Sequence, residues 1–298
     1  MTAPAADTGP ARRSPGRRAL QRFLQHRLAM ASLLVFALIT VASLLAPWIA
    51  PYTYDELDLQ NANQPPGLDG WHLFGTDKVG RDYFSRVLYG TQTSVLVAVL
   101  VAVLSTVIGT VVGAVAAYYG GVVDNVLMRV VDFVITLPFL AVVLVVAAYL
   151  GGGSPIRVAV ILGLLLWTTI ARVVRAQCLP LREAEYVQAA RVCGAGDLRI
   201  IFRHLVPNTM GAIIVNATLV VAQAILLEST LSYLGFGIDP PTPALGGLIS
   251  DGQGSMLTQW WLVAVPGMMI VLLSLAVNFV GDGLRDALDP SAPTGRAA

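Results

Sequence analysis

Charge is what this chain has least of. Acidic and basic residues together make up 12% of its 298 residues, against about 25% in soluble domains. A soluble fold of this length would need a polar surface that is not here. Formal net charge is +1, so no nucleic-acid partner is implied. Histidine is scarce: His26, His72 and His204 are the only three, which excludes a His-rich metal or catalytic cluster. The two cysteines, Cys178 and Cys193, have neither metal-ligand nor C-x-x-C spacing and are expected as free thiols on a reducing side of the membrane. Lysine is scarcest of all. Lys78 stands alone and is followed by Val79, so the G-K-[ST] element that cradles phosphates is absent. The chain is not expected to bind ATP by that route and must borrow its energy source.

What is abundant is apolar sequence. Hydrophobic residues reach 56% and mean hydropathy is +0.71, which predicts an all-α integral membrane protein. Six runs approach the roughly 20 residues that a bilayer requires: 28–49, 94–119, 126–150, 156–174, 209–234 and 261–280. The Pro/Ala/Arg-rich start is expected to be disordered to about Gly16. A signal peptide is set aside, because the first run is long for one and APWIAPY is no cleavage pattern.

Arginine fixes the expected orientation. Arg12, Arg13, Arg17, Arg18, Arg22 and Arg27 precede or open the first run. Arg172, Arg175, Arg182, Arg191, Arg199 and Arg203 cluster at and after the end of the fourth. Six spans put both groups on the cytoplasmic side. The opposite side then holds Asp55, Glu56, Asp58, Asp69, Asp77 and Asp82 against Lys78, Arg81 and Arg86, and also 237–259, which has no Lys or Arg. The expected order is a cytoplasmic basic tail (1–27), a first transmembrane helix (28–49), an extracytoplasmic segment (50–93) and a five-helix core (94–281). A cytoplasmic loop (175–208) lies within that core, and a cytoplasmic tail (282–298) closes the chain. No inverted sequence repeat of the secondary-transporter kind is evident.

One charged stretch interrupts the core: EYVQAARVCGAGDLRIIFRHLVPN, from Glu185 to Asn208. Tyr186, Ala189, Ala190 and Cys193 recur at helical spacing. Gly194 and Gly196 break that helix, and Asp197 is placed to cap a second. There Leu198, Ile201, Phe202 and Leu205 form one face, with Arg199 and Arg203 on another. Pro207 suits the first turn of the next helix. The stretch therefore reads as helix, glycine break, helix, fifth span. It is either an amphipathic connector on the membrane surface or a docking element whose small residues allow close approach by a cytoplasmic partner.

These residues resemble the cytoplasmic loop of ABC importer permeases, E-A-A, three residues, G, nine residues, I-x-L-P. Ala189, Ala190, Gly194 and Pro207 fall on the pattern, while Gln188, His204 and Val206 depart from it. The dipeptide/oligopeptide/nickel branch is closer. Its Y-V-x-A-A-R-x-x-G-A-x-D-x-x-I-I-x-R-H-x-x-P-N pattern is similar to Tyr186 through Asn208, including Arg191, Ala195, Asp197 and Arg203. FGTDKVGRDYFSRVLYG, LESTLSYLGFGIDPP and NFVGDGLRDALDP also resemble segments of that branch, specifically its second permease type. The resemblance implies the six-helix type I (MetI-like) permease fold, with Glu185 through Asn208 coupling to an ATPase. It also implies a second permease, two ATPase subunits carrying ATP and Mg, an extracytoplasmic binding protein and a peptide substrate. Nickel or glutathione is the alternative substrate.

Other positions carry paired expectations. Asp77, Arg81, Asp82 and Arg86 read as a salt-bridged surface helix, or as a gate or binding-protein contact. Glu228, inside the fifth run, is a functional carboxylate, a structural partner within the bundle, or an exposed group near the outer end of its span. Asp132 is expected to pair with Arg129 one turn away. Gly109 and Gly113 form a G-x-x-x-G suited to close packing within the subunit or to a dimer contact. Pro138 and Pro266 are expected to kink their spans. An autonomous secondary transporter would have only Glu228 and Asp132 for ion coupling. An intramembrane hydrolase would lack a histidine base within a span.

Overall fold

The structure is a computed structural model that describes residues 15–150 and 153–288. α1 (Pro15–Gln25) leads into α2 (Arg27–Leu44) across His26, whose Nδ1 accepts the Ala29 N–H at 3.1 Å and caps α2. α3 (Ala46–Ile49) closes the first apolar run. α4 (Tyr83–Tyr119), α5 (Gly121–Thr136), α6 (Phe139–Leu150) and α7 (Pro155–Arg182) follow. Then come α8 (Glu185–Val192), α9 (Asp197–Ile200), α10 (Val206–Tyr233), α11 (Leu245–Gly252) and α12 (Trp261–Leu288). Among the described residues there is no strand, only an isolated bridge between Thr76 and Asp82.

α4 and α7 form the centre of the bundle and run side by side in the same direction. Contacts advance together along both: Leu104 lies against Gly163, Gly109 against Trp167 and Ile170, and Gly113 against Ala171 and Val174. A β carbon at Gly109 would sit 2.7 Å from the Ile170 Cβ, so the G-x-x-x-G packs within the subunit. α10 crosses α4 and α12, and α2 flanks α12, where Gly283 leaves room for Ala29 and Phe23. Burial is deepest along α4, α7 and α10, with Leu162, Ile170, Ile225 and Leu231 almost wholly enclosed.

Several expected boundaries move. α4 starts at Tyr83 rather than 94, because Asp82 caps it by accepting the Ser85 N–H at 2.7 Å. The end of the 50–93 segment is therefore helix. α7 continues past 174 to Arg182, and α12 continues past 280 to Leu288. Part of the basic tail is helix α1. Residues 1–14, 151–152 and 289–298, which include Arg12, Arg13 and the end of the C-terminal tail, lie outside the described residues.

The third run is not a kinked helix but two helices bent by 87°. Leu137, held extended before Pro138 at ψ 140, is the break. Among the described residues five helices are long and apolar enough to cross a membrane, or six with this pair as one span. Pro266, by contrast, sits inside the unbroken α12. Proline has no N–H for the carbonyl four residues back. That carbonyl, Leu262 O, accepts instead from the buried Tyr83 hydroxyl at 2.6 Å.

Candidate functional site

At the end where α4 finishes, α8 stands off the bundle. Val187 is fully buried and anchors it, while Tyr186, Ala189, Arg191 and Cys193 are exposed and Val192 is 89% exposed. The face expected from spacing, Tyr186–Ala189–Ala190–Cys193, is thus not turned into this chain's core; of the four only Ala190 is half-buried. Glu185 opens the helix, where its charge suits the helix start. Gln188 reaches back to the Arg182 carbonyl and the Glu183 carboxylate, each at 3.4 Å.

Gly194 ends α8 in the left-handed region, at φ +80. The Ala195 N–H donates to Ala190 O at 3.0 Å and the Gly194 N–H to Arg191 O at 3.0 Å. That pair of bonds is the Schellman ending, which favours glycine at this position. A β carbon there would meet nothing within 4 Å. The glycine serves the backbone turn, and its outer side is open.

Asp197 does not cap the second helix. Gly196 holds the cap position and Asp197 is the first helical residue. Its carboxylate instead accepts the Tyr118 hydroxyl at 2.6 Å and the Tyr119 hydroxyl at 3.2 Å, both from the last turn of α4. The Arg191 guanidinium lies 5.4 Å from the centre of the Tyr118 ring. Arg182 donates to Ala117 O at 3.1 Å. The sequence reading missed the two tyrosines. Their signal was a tandem aromatic pair closing an apolar run just before Gly120 and Gly121.

α9 does not stop before the fifth span. It passes through a π-helical turn, Ile201–Leu205, directly into α10, so the apolar helix is continuous over Asp197–Tyr233. The wider turn changes which residues point inward. Ile201 and Leu205 are buried, but Leu198 and Phe202, expected on the same face, are 68% and 49% exposed. Arg199 and Arg203 are exposed as well. The Tyr186 and His204 rings approach to 6.3 Å, and Asn208 Nδ2 donates to His204 O at 2.6 Å. Pro207 lies in the first turn of α10.

At the opposite end, Asp77, Arg81, Asp82 and Arg86 do not form a surface helix. Residues up to Asp82 make a loop, and only Arg86 lies on α4. Asp77 Oδ2 accepts from Arg81 Nε at 2.7 Å and from Arg86 Nη1 at 2.8 Å, while Oδ1 accepts the N–H groups of Val79 and Arg81 at 3.0 Å each. Asp82 is buried against His72 at 2.9 Å. Arg86 is only 4% exposed, and its second amino group lies 3.7 Å from Asp251.

Within the bundle, Glu228 is fully buried. Ser94 of α4 donates to it at 2.6 Å and Ser232 at 2.8 Å. It joins α10 to α4 and is not exposed at the end of its helix. Asp132 pairs not with Arg129 but with Arg172 of α7 at 2.6 Å. Asp124 and Arg175 form a second α5–α7 pair, with Arg175 Nη2 2.6 Å from Asp124 Oδ2. Ion pairs across helices replace the expected local one, because the bend at Pro138 lays α5 against α7. Among the described residues no group of three or more His, Cys, Asp or Glu could hold a metal.

Comparison with known proteins accords with this architecture. The family described as "Binding-protein-dependent transport system inner membrane component" matches residues 109–292. The "N-terminal TM domain of oligopeptide transport permease C" matches residues 14–66. A putative peptide transport system permease protein of Brucella abortus is 42% identical over 272 residues, covering 91% of this chain and 90% of its own. The oligopeptide transport system permease protein OppC of Escherichia coli K12 is 41% identical, covering 91% and 90%. The dipeptide transport system permease protein DppC of Bacillus subtilis is 41% identical, covering 91% and 84%.

Proposed function

Because this chain belongs to the binding-protein-dependent transport system inner membrane components, we propose that it is one permease subunit of an ATP-driven importer that moves short peptides across the cytoplasmic membrane. The names of its relatives favour peptides over nickel or glutathione. In this reading it pairs with a second permease. Two ATPase subunits carry ATP and Mg on the side of α8, which is cytoplasmic together with both termini. An extracytoplasmic binding protein delivers peptide to the end where α4 starts.

The observation that carries the reading is the geometry of the charged loop. Its helix α8 presents Tyr186, Ala189, Val192 and Cys193 away from the chain, as a helix seated in a partner's groove would. Beyond the glycine break, the chain is one uninterrupted helix from Asp197 to Tyr233. A displacement of the docked loop by ATPase closure therefore passes into a membrane-spanning helix as a rigid-body motion. Alternating access needs such a motion.

The test is transport by the complete complex in proteoliposomes. With ATP inside and binding protein plus labelled short peptides outside, peptide should accumulate in the vesicles. Accumulation no greater than in ATP-free vesicles would overturn the reading.

A further inference from the structure

We infer that a pocket at the end of the bundle where α4 starts is a receptor for one carboxylate side chain of the extracytoplasmic binding protein. This rests on the importer reading above and names the chemistry by which that partner is recognised.

The cavity holds about 240 Å³. The loop before α4 contributes Asp77, Lys78 and Arg81, α4 contributes Tyr83 and Arg86, α11 contributes Leu248 and Asp251, and α12 contributes Leu262. Ligand pockets for whole small molecules run from about 300 to 1,000 Å³. This one is smaller and suits a single inserted side chain.

Its charge selects the group. Lys78, Arg81 and Arg86 face Asp77 and Asp251, an excess of one positive charge. The excess is not neutralised elsewhere in the cluster. Asp77 already takes both Arg81 and Arg86, and Asp251 stands 3.7 Å from Arg86. Lys78 Nζ donates only to the Asp251 carbonyl, at 3.3 Å, and not to a carboxylate. Arg86, 4% exposed, lines the cavity, so its charge acts there with little screening by water.

The pocket is also built to hold its shape. Asp77 is fixed by two backbone N–H groups, Val79 and Arg81. The Tyr83 hydroxyl donates to the Leu262 carbonyl at 2.6 Å and lies 3.4 Å from the Leu248 carbonyl, so three chain segments meet around the opening. Lys78 and Asp251 form the exposed rim. A cationic pocket with an apolar wall and an open rim can admit an Asp or Glu from a protein surface and strip it of water.

The experiment uses the assembled importer in nanodiscs and measures ATP hydrolysis against binding-protein concentration. Lys78→Glu should raise the half-saturating concentration by about tenfold or more, the loss of one charge-assisted contact. Arg86→Lys, which keeps the charge but loses the amino group beside Asp251, should act in the same direction. Replacing acidic surface residues of the binding protein by Lys, one at a time, should reveal one position whose defect Lys78→Glu relieves. Should Arg86→Lys fail to assemble, Lys78→Glu decides alone, since Lys78 is exposed. Half-saturation within twofold of the parent in every assembled variant overturns the proposal while leaving the importer reading intact. A response to peptide C-terminal amidation, instead of to binding-protein charge, overturns it in favour of the substrate. A parent complex that no binding protein stimulates overturns the importer reading and this proposal together.

Discussion

Gly194 shows how one residue can serve both a fold and an interface. Its φ of +80 disfavours any side chain, at about 1–2 kcal/mol for a residue held in the left-handed region. The space beyond its α carbon is open. Gly194→Ala should therefore loosen the end of α8 and lower peptide uptake by the complex only in part. Gly194→Arg adds bulk and charge on the open side and should abolish both uptake and retention of the ATPases in a pull-down. If the two variants behave alike, the open side meets no partner. Tyr83 supports a second test at this scale. Removing its hydroxyl leaves the Leu262 carbonyl without its buried donor, since Pro266 cannot supply one. Tyr83→Phe should destabilise the chain by about 1–3 kcal/mol, read as a lower melting temperature of the detergent-solubilised complex. An unchanged melting temperature would mean that this bond carries no net stability. The sequence made Gly194 legible, because glycine at the end of a helical repeat has few other reasons to be there. It could not reveal Tyr83, whose partners lie 165 and 179 residues away.

Among the elements, the loop between α7 and α10 was the most legible and also the most misread in detail. Helical spacing located α8 and the break correctly. It put Leu198 and Phe202 on one face with Ile201 and Leu205, of which only the last two are buried, because a 3.6-residue repeat cannot anticipate the π turn at Ile201–Leu205. It gave Asp197 a capping role, because short polar residues before a helix usually have one, whereas long-range contacts with Tyr118 and Tyr119 claim that carboxylate. Those contacts matter mechanically. Beyond the Arg182–Ala117 bond at the start of the loop, the Asp197–tyrosine bonds and the Arg191–Tyr118 contact tie both sides of the glycine break to α4. With both arms attached, movement of α8 reaches α4 and α10 together. Asp197→Ala should leave the complex hydrolysing ATP while peptide imported per ATP falls by at least about fivefold, at the lower end of typical coupling energies. The double variant Tyr118→Phe, Tyr119→Phe should do the same. An unaltered ratio of import to hydrolysis in both would show that α10 alone carries the motion.

For the whole molecule, the number of crossings follows from the direction of its helices more firmly than from apolar length. α4 and α7 lie parallel, with Leu104 at Gly163 and Gly113 at Ala171. Two consecutive parallel helices require the chain between them to return the full length of the bundle. Despite the 87° bend, α5 and α6 must together make that return. Gly153, just beyond α6, does reach the far end, where its N–H donates to Gly237 O at 3.0 Å, beyond the finish of α10. With the bent pair as one span, the described residues hold six, and α8 lies on the same side as the start of α2. Arginine counting had placed the loop there, but it could not see that the third crossing is broken. The native thiols make the arrangement testable. Cys193 is exposed on the loop and Cys178 is buried, so, with the chain expressed without its ATPase subunits, a membrane-impermeant maleimide should label it in inside-out vesicles and not in intact cells. In a Cys193→Ser background, single cysteines at Asp251 and Ser154 should react from outside and one at Gly121 only from inside. Labelling of Gly121 and Ser154 from the same side would mean that the bent pair is re-entrant. α4 and α7 could not then pack in parallel across one bilayer, and the arrangement of the bundle would fall with that result.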